Sequence, residues 1–450
     1  MQTLAKRAIV VGASMGGLVA AKALAAQFQE VLVIERDTLP TGIEPRKGVP
    51  QGRHTHGLLA RGREALEELF PGLIEELIAA GAQAGDLSGD TFWYNHGVYL
   101  SQSRSALQGL LVSRPMLESH VRRRLLQLPN VRIAEHRSVD ALVFDASNKR
   151  VIGLRVEDRE HGTIETLDAD QVVDASGRGT RTPAWLREAG YPEPAEEKVE
   201  VGIGYMTRSY RRRPEELGGK MAAIMAACDP EWRMGAMLAQ EGSRWMVSLG
   251  GYFGDHPPAD PQGYLEFAKS LPKPEIYNAL RVAEPLSDPM PFHYPASVRR
   301  RYERLSAFPE GYLVFGDALC SFNPVYGQGM TVAACEALAL EKCLAEGSKG
   351  LARRFFAAAA KTIDIPWQIA VGSDMQHPRL RAEMPLQARF INWYISRFYR
   401  AGRQDDLLAI QFLEVANLMR RPESLLSPKL AWRVWRSGAA SSEVLKPELQ

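Results

Sequence analysis

Two glycine-rich turns of this 450-residue chain hold its strongest candidates for ligand binding. The first, in "AIVVGASMGGLVAAKALAAQFQEVLVIERD", places Gly12, Ser14, Met15, Gly16 and Gly17 between an apolar run at 8–11 and an apolar helical stretch. Gly12 permits a tight reversal, and Gly17 lets the helix approach the strand. The opening turn of such a helix presents unpaired N–H groups and a positive dipole end to a phosphate. A second strand, 31–34, ends on Glu35 and Arg36. A carboxylate there can accept hydrogen bonds from both hydroxyls of an unphosphorylated ribose. The unit reads as a dinucleotide site, with Ser14 where a second glycine is usual.

The second turn, "GYLVFGDALCSFNPVYGQGMT", delivers Asp317 beyond a buried strand at 312–315. Pro324 stiffens the loop, Gly327 and Gly329 allow close backbone approach, and a helix opens at Gly329 and Met330. A carboxylate in that place can accept from polyol hydroxyls. A helix N-terminus stabilises negative charge gathering on a ring held against it. Both NAD and FAD fit the first turn, but only FAD carries a ribityl chain for the second.

These turns need a scaffold. The fold class expected is α/β: an FAD-binding, Rossmann-like domain with a parallel sheet and a β-meander crossover, an antiparallel-sheet substrate domain, and a C-terminal helical region. The stretch "VRIAEHRSVDALVFDASNKRVIGLRVED" alternates and turns as the meander. Farther on, Val199, Val201, Ile203 and Tyr205 fall on one strand face, as do Trp245, Val247 and Leu249, giving a sheet that roofs the ligand. Met206, Met221, Met225, Met234, Met237 and Met246 would either line a roomy apolar pocket or fill ordinary sheet core. After residue 350, "RFINWYISRFYRA" and "DDLLAIQFLEVANLM" have helical spacing. The segment 390–399 could lie on a membrane surface, with packing onto the body as the default. The expected division is 1–190 and 301–350 for the two parts of the FAD-binding domain, 191–300 for the substrate sheet and 351–450 for the helices. Residues 60–105 would contribute to the substrate side.

A formal charge of +2, with 45% hydrophobic and 24% charged residues, lacks the concentrated basic surface that a nucleic-acid partner needs. The Arg triplets at 122–124, 211–213 and 299–301 read as solvated faces. Four cysteines without metal-ligand or C-x-x-C spacing read as reduced, mostly buried thiols, with no metal site. No uninterrupted apolar stretch has membrane-spanning length, and the glycines near the N-terminus favour a folded unit over a secretory signal. A cytoplasmic protein without an integral membrane span is expected.

Together, "VVGASMGGL…VIERD" and "GDALCSFNPVYGQGM" resemble the FAD-dependent monooxygenases of the para-hydroxybenzoate hydroxylase type. "LVSRPMLESHVRRRL" resembles the family's helix with an Arg that contacts the ribityl and phosphate region, here Arg114, whose alternative is a salt bridge to Glu118. "VVDASGRGTRTP" resembles the middle fingerprint, with Ser176 in place of the usual Asp. "PQGRHTHGLL" resembles the loop carrying an Arg over the cofactor, here Arg53; the loop's His54 and His56 could equally have no chemical role. The resemblance implies transfer of one oxygen atom from O2, by way of a flavin C4a-hydroperoxide, to an apolar aromatic or polyene substrate. It implies backbone groups near Pro324 steadying that oxygen, with His54, His56 or His293 as candidate bases. Electrons would come from transiently bound NAD(P)H or a partner reductase, since no second Rossmann unit is visible. An isoprenoid-alkene reductase of the geranylgeranyl-reductase kind and a flavin-dependent halogenase share the cofactor site. The halogenase signature Trp-x-Trp-x-Ile-Pro is absent.

Overall fold

A computed structural model describes residues 5–443, with side chains through residue 437. A five-stranded parallel sheet runs in the order Tyr312–Val314, Gln171–Asp174, Ala5–Val11, Phe28–Ile34, Val131–Ala134. Its strands are near-continuous apolar runs because both faces are covered: Ala8, Ile9, Val10, Val172, Val173, Leu313 and Val314 are fully buried. Helices Met15–Ala25 and Gly329–Ala345 contribute to the same core. Register matters more than composition here. Val11 pairs with Ile34 and Asp174, and Asp174 pairs with Val314, so four strands end level. The residues that follow, Gly12, Glu35, Ala175 and Phe315, therefore come side by side at one sheet edge. Ligands of open α/β sheets bind outside the carboxyl ends of the strands.

The meander differs from its expected extent. Val131–Ala134 joins the parallel sheet through Val31–Val131 pairing, and the three meander strands are Arg137–Phe144, Val151–Asp158 and Thr163–Asp168. The last of these is almost wholly exposed, so it carries none of the alternation that marks a half-buried strand.

An eight-stranded sheet runs in the order Cys320–Ser321, Met290–Arg300, Glu196–Arg211, Arg244–Gly251, Arg233–Gln240, Ala222–Met225, Thr91–Asn95, Val98–Tyr99. It is antiparallel except where Thr91–Asn95 lies parallel to Ala222–Met225. Strand alternation gives it two faces. Thr207 pairs with Ser248 on one; Met206 pairs with Leu249 on the other. The second face packs beneath helices Pro261–Lys269 and Glu275–Leu280, in a cluster holding Met206, Met221, Met225, Met237, Trp245, Val247 and Leu249. Four of the six methionines are thus core, not pocket lining. Only Met234 and Met246 share the Thr207 face, by their pairing with Gly250 and Ser209.

The long helix Leu351–Asp374 begins beside the parallel sheet, where Phe355 stacks on Phe315 at 5.8 Å, and ends against the large sheet at Tyr252. Helices Leu386–Ala401, Asp406–Ala416 and Pro428–Glu443 follow. Two triplet arginines depart from the solvated reading. Arg122 is buried on the Pro40 carbonyl, and Arg299 is buried with its guanidinium 2.6 Å from Asp364. Arg123, Arg211 and Arg213 are exposed. All four cysteines are free, three of them buried. Among the described residues no helix is long and apolar enough to cross a membrane.

Candidate active site

At the first turn the backbone leaves no room for side chains. Gly12 has φ +99°, and a Cβ there would meet the Ala175 carbonyl oxygen at 2.8 Å; one on Gly17 would lie 1.7 Å from the Gly12 oxygen. Ser14 precedes helix Met15–Ala25 without capping it, so the helix N–H groups stay free for a ligand. Its hydroxyl instead accepts from Arg114 Nη2 at 2.7 Å. Arg114 opens helix Arg114–Leu126, and its Nε also donates to Glu118 Oε2 at 3.1 Å. Of the two readings of Arg114 in the sequence, the salt bridge to Glu118 is present. Met15 is buried in the core, so only its backbone is available to a ligand.

Glu35 is buried. It accepts from Ala13 N at 2.9 Å and Asp37 N at 3.1 Å, and pairs with Arg46 Nη1 at 3.0 Å. Arg46 in turn reaches Glu118 Oε1 at 3.2 Å. Burial works to lower the Arg46 pKa, but Glu118 and Glu35 outweigh it and raise it. A chain Glu35–Arg46–Glu118–Arg114–Ser14 thus stiffens the turn. Sequence reasoning did not single out Arg46, because it sits in an irregular loop with no motif around it. Arg36 is exposed and stands outside this chain.

At the second turn Asp317 follows Gly316, whose φ is +64° and whose Cβ would face Gly16 Cα at 3.9 Å. The Asp317 side chain is accessible, yet burial pushes its pKa up, against the pull of Arg114 and Arg178. An accessible group whose charge is penalised by surrounding protein lines an internal recess rather than the outer surface. A Cβ on Gly329 would lie 3.8 Å from Asp317 Oδ1, so the late helix begins beside that recess. Gly327 is exposed at φ +65°, and Met330 is buried in the core. Beneath the turn, fully buried Glu336 accepts from Gly316 N at 2.8 Å. Burial, then the nearby Asp317, pushes the Glu336 pKa up to about 8.

The third strand of the edge adds a residue that the motifs did not reveal. Arg178 extends toward the large sheet, 5.1 Å from the Tyr294 ring centroid and 6.0 Å from that of Phe292. The level ending of the four strands is the signal that could have found it. Asp174, not Ser176, organises this loop, accepting from Ser176 N at 2.9 Å and from Thr180 and Thr182 hydroxyls at 2.5 Å. Because Asp174 is fully buried, it holds the loop without facing a ligand.

The wall opposite is neutral. His54 is buried, with Nδ1 2.8 Å from Thr207 Oγ1 and its ring edge-on to Tyr205 and Phe292 at 5.0 and 5.2 Å. Thr207 Oγ1 lies 2.6 Å from Ser248 Oγ, which lies 2.5 Å from Thr55 Oγ1. His56 Nδ1–H donates to the His54 carbonyl at 2.9 Å. Burial, then Arg53, pushes the His54 pKa down to about 4; burial, then Arg114, pushes His56 down to about 3. Both are uncharged at neutral pH, which makes them weak bases. Arg53 is exposed at the end of the short turn Pro50–Arg53. His293 pairs with Gly204 on the other face of the sheet, beside His256, and not with the Thr207 face.

The Pro324 loop is anchored from behind. Asn323 Nδ2, Tyr252 OH and Tyr326 OH all donate to Asp374 Oδ1, at 2.9, 2.9 and 2.8 Å. Asp374 is fully buried, and burial pushes its pKa up to about 6 against those three hydrogen bonds. A lone acid near the end of a helix gives no sequence signal of such a role.

A family model described as FAD dependent oxidoreductase matches residues 8–198. Over 427 residues the chain is 36% identical to Protein Rv3254 of Mycobacterium tuberculosis (strain ATCC 25618 / H37Rv), spanning 92% of this chain and 89% of that protein. The chain belongs to the FAD-dependent oxidoreductase family. Among solved structures, this flavoenzyme is similar to the flavin-dependent brominase Bmp2, with a TM-score of 0.66 and 14% identity over 97% of this chain and 98% of that one. It is similar also to p-nitrophenol 4-monooxygenase PnpA from Pseudomonas putida DLL-E4, at TM-score 0.64 and 15% identity over 93% and 99% of the two chains. PqsL from Pseudomonas aeruginosa gives TM-score 0.60 and 15% identity over 84% and 98%. At these identities the similarity is one of fold.

The side chains present fit FAD. Gln328 Oε1, at the start of the late helix, is buried without a hydrogen-bond partner among the described residues. Leaving a buried polar atom unpaired costs about 1–3 kcal/mol, so a ligand with polar edges gains by meeting it. The Gly12–Gly17 cradle with its helix N-terminus suits a pyrophosphate, and the accessible Asp317 suits a polyol.

Proposed function

We propose that this flavoenzyme is a monooxygenase that inserts one atom of O2 into an apolar aromatic or polyene substrate. In this reading Gly12, Ser14 and the backbone at Met15, Gly16 and Gly17 hold the pyrophosphate. Glu35 takes the ribose hydroxyls, and Arg114 and Asp317 take the ribityl arm. The backbone at Gly327, Gly329 and Met330 faces the ring's pyrimidine edge, where the helix dipole offsets negative charge. FAD, once reduced, supplies the activation of O2; the chain supplies position, field and dryness.

The observation that carries the reading is the neutral wall facing the charged cofactor edge. Tyr205 and Phe292 stack at 5.0 Å against His54, which burial keeps uncharged. Uncharged side chains with their polar atoms already paired to one another draw less water toward the reacting oxygen, and water there would divert it to hydrogen peroxide. Pro324 and its neighbours, clamped through Asn323 and Tyr326 to Asp374, fix the backbone beside that oxygen. Arg53, exposed on its loop, would be the cation carried over the cofactor. Hydride comes from NAD(P)H bound transiently, or from a partner reductase.

A halogenase reading draws on the similarity in fold to Bmp2, which extends over nearly the whole chain. The discriminating experiment follows NAD(P)H and O2 consumption with an aromatic and polyene panel, with and without bromide, and measures product mass. A gain of one oxygen, independent of halide, supports the monooxygenase. A halide-dependent mass gain, or alkene reduction without O2, overturns it.

A further inference from the structure

The helices Leu386–Ala401 and Pro428–Glu443 bury one side of each against the other, through Phe398, Ala401, Leu430 and Val434. Their outer sides are apolar as well. Leu386, Phe390, Trp393, Trp432 and Trp435 are between 50% and 80% exposed, where an ordinary surface shows large apolar side chains singly. Phe390 and Trp393 stack on each other at 5.6 Å and remain 61% and 50% exposed. No interior role explains this. A core needs such residues facing inward, and Phe398 and Tyr399 on the same helix already do that.

Charge sets the second constraint. Residues 375–437 hold eleven Lys and Arg against five Asp and Glu, a net of +6, while the whole chain has only +2. Within this segment the ion pairs among described residues are Arg420–Glu414 and Arg433–Asp405. Arg389, Arg397 and Arg400, all exposed, flank the Phe390–Trp393 stripe at helical spacing and pair with no carboxylate among the described residues; Arg389 donates instead to the Met384, Arg381 and Ala382 carbonyls and Arg400 to Ser396. Arg397 sits 4.6 Å from the Trp393 ring centroid and Arg436 5.4 Å from that of Trp432. Tryptophan beside arginine, on an amphipathic helix too polar to span a bilayer, is the composition of a helix that lies in the headgroup layer.

We infer that the outer face of these two helices docks the enzyme onto an anionic lipid bilayer surface. The apolar side chains enter the acyl boundary, and the arginines meet the phosphates. A second copy of the chain is a poorer occupant, because a two-fold interface would set this basic patch against itself. The inference stands apart from the flavin chemistry, since none of these residues touches the cofactor edge or the Thr207 wall.

The test is flotation of the full-length FAD-loaded protein with vesicles of phosphatidylcholine alone and of phosphatidylcholine mixed with phosphatidylglycerol. Binding is expected on the mixed vesicles only, and it weakens as salt is added. The triple variant Arg389→Gln, Arg397→Gln, Arg400→Gln lowers partitioning by about a hundredfold, at roughly one arginine's worth of headgroup attraction each. The pair Phe390→Ser, Trp393→Ser lowers it by about tenfold. FAD content, read from the absorption spectrum, stays unchanged in all variants and separates a lost surface from a misfolded chain. Absence of binding at low salt, equal binding to neutral vesicles, or variants that bind as the parent does would each overturn the inference. So would a dimer in light scattering that Phe390→Ser, Trp393→Ser converts to monomer without any vesicle binding.

Discussion

The two walls of the candidate site are made differently. The parallel-sheet edge is charged and built from backbone: Gly12, Gly17 and Gly316 admit no side chain or favour none, and Glu35, Arg46, Glu118, Arg114, Arg178 and Asp317 surround them. The opposite wall is neutral and built from side chains on an antiparallel sheet: Tyr205, Thr207, Ser248, Phe292 and His54. The first arrangement suits a phosphate-bearing, polyol-bearing cofactor. The second suits a reaction that water would spoil. The difference separates holding from reacting, and each wall can be broken without the other.

Gly17→Ala should have the largest effect. Its new Cβ would sit 1.7 Å from the Gly12 oxygen, so the helix cannot keep its place and FAD binding should be abolished. Flavin absorbance of the purified variant checks this. Next comes the clamp between the walls. Asp374→Ala strands the Tyr252 and Tyr326 hydroxyls and the Asn323 amide, at a cost of about 3 kcal/mol in unfolding free energy. FAD should remain bound while a larger share of the reducing equivalents ends as hydrogen peroxide. Asp374→Asn, which keeps an acceptor, should recover most of both losses.

The smallest effects separate the walls by pH. Glu336, under the cofactor edge, has a folded pKa of about 8, raised from 4.5. Its contribution is full below the unfolded value and is lost as pH rises toward about 8. His54, in the neutral wall, is lowered from 6.5 to about 4, so its contribution is full above the unfolded value and is lost as pH falls toward about 4. Thermal unfolding across pH should show Glu336→Gln flattening the alkaline limb and His54→Gln flattening the acid limb, each by a few degrees. A variant that flattened both limbs, or the wrong one, would show that the walls are not separate.

How much of this was legible beforehand follows from the same contrast. The cofactor edge announces itself because its constraints are local: a glycine at positive φ, a strand, and a helix start occupy neighbouring positions in the sequence. The register that brings Asp174 level with Val11 and Val314 is not local, so nothing in the motif around Ser176 points to Arg178. Arg46 and Asp374 have no periodic context and acquire their partners only through tertiary approach. The methionines show the opposite failure. Their enrichment was plain, but which sheet face each takes depends on alternation counted from Thr207, and four of them point into core.

If Asp317 receives the ribityl hydroxyls, its removal must weaken FAD binding. The most direct measurement is FAD titration of apoprotein, comparing the parent chain with Asp317→Ala by flavin fluorescence. The account predicts that the variant binds FAD about a hundredfold more weakly, the loss of hydrogen bonds to a charged acceptor at roughly 2–3 kcal/mol. Unchanged affinity in a folded Asp317→Ala variant would contradict it.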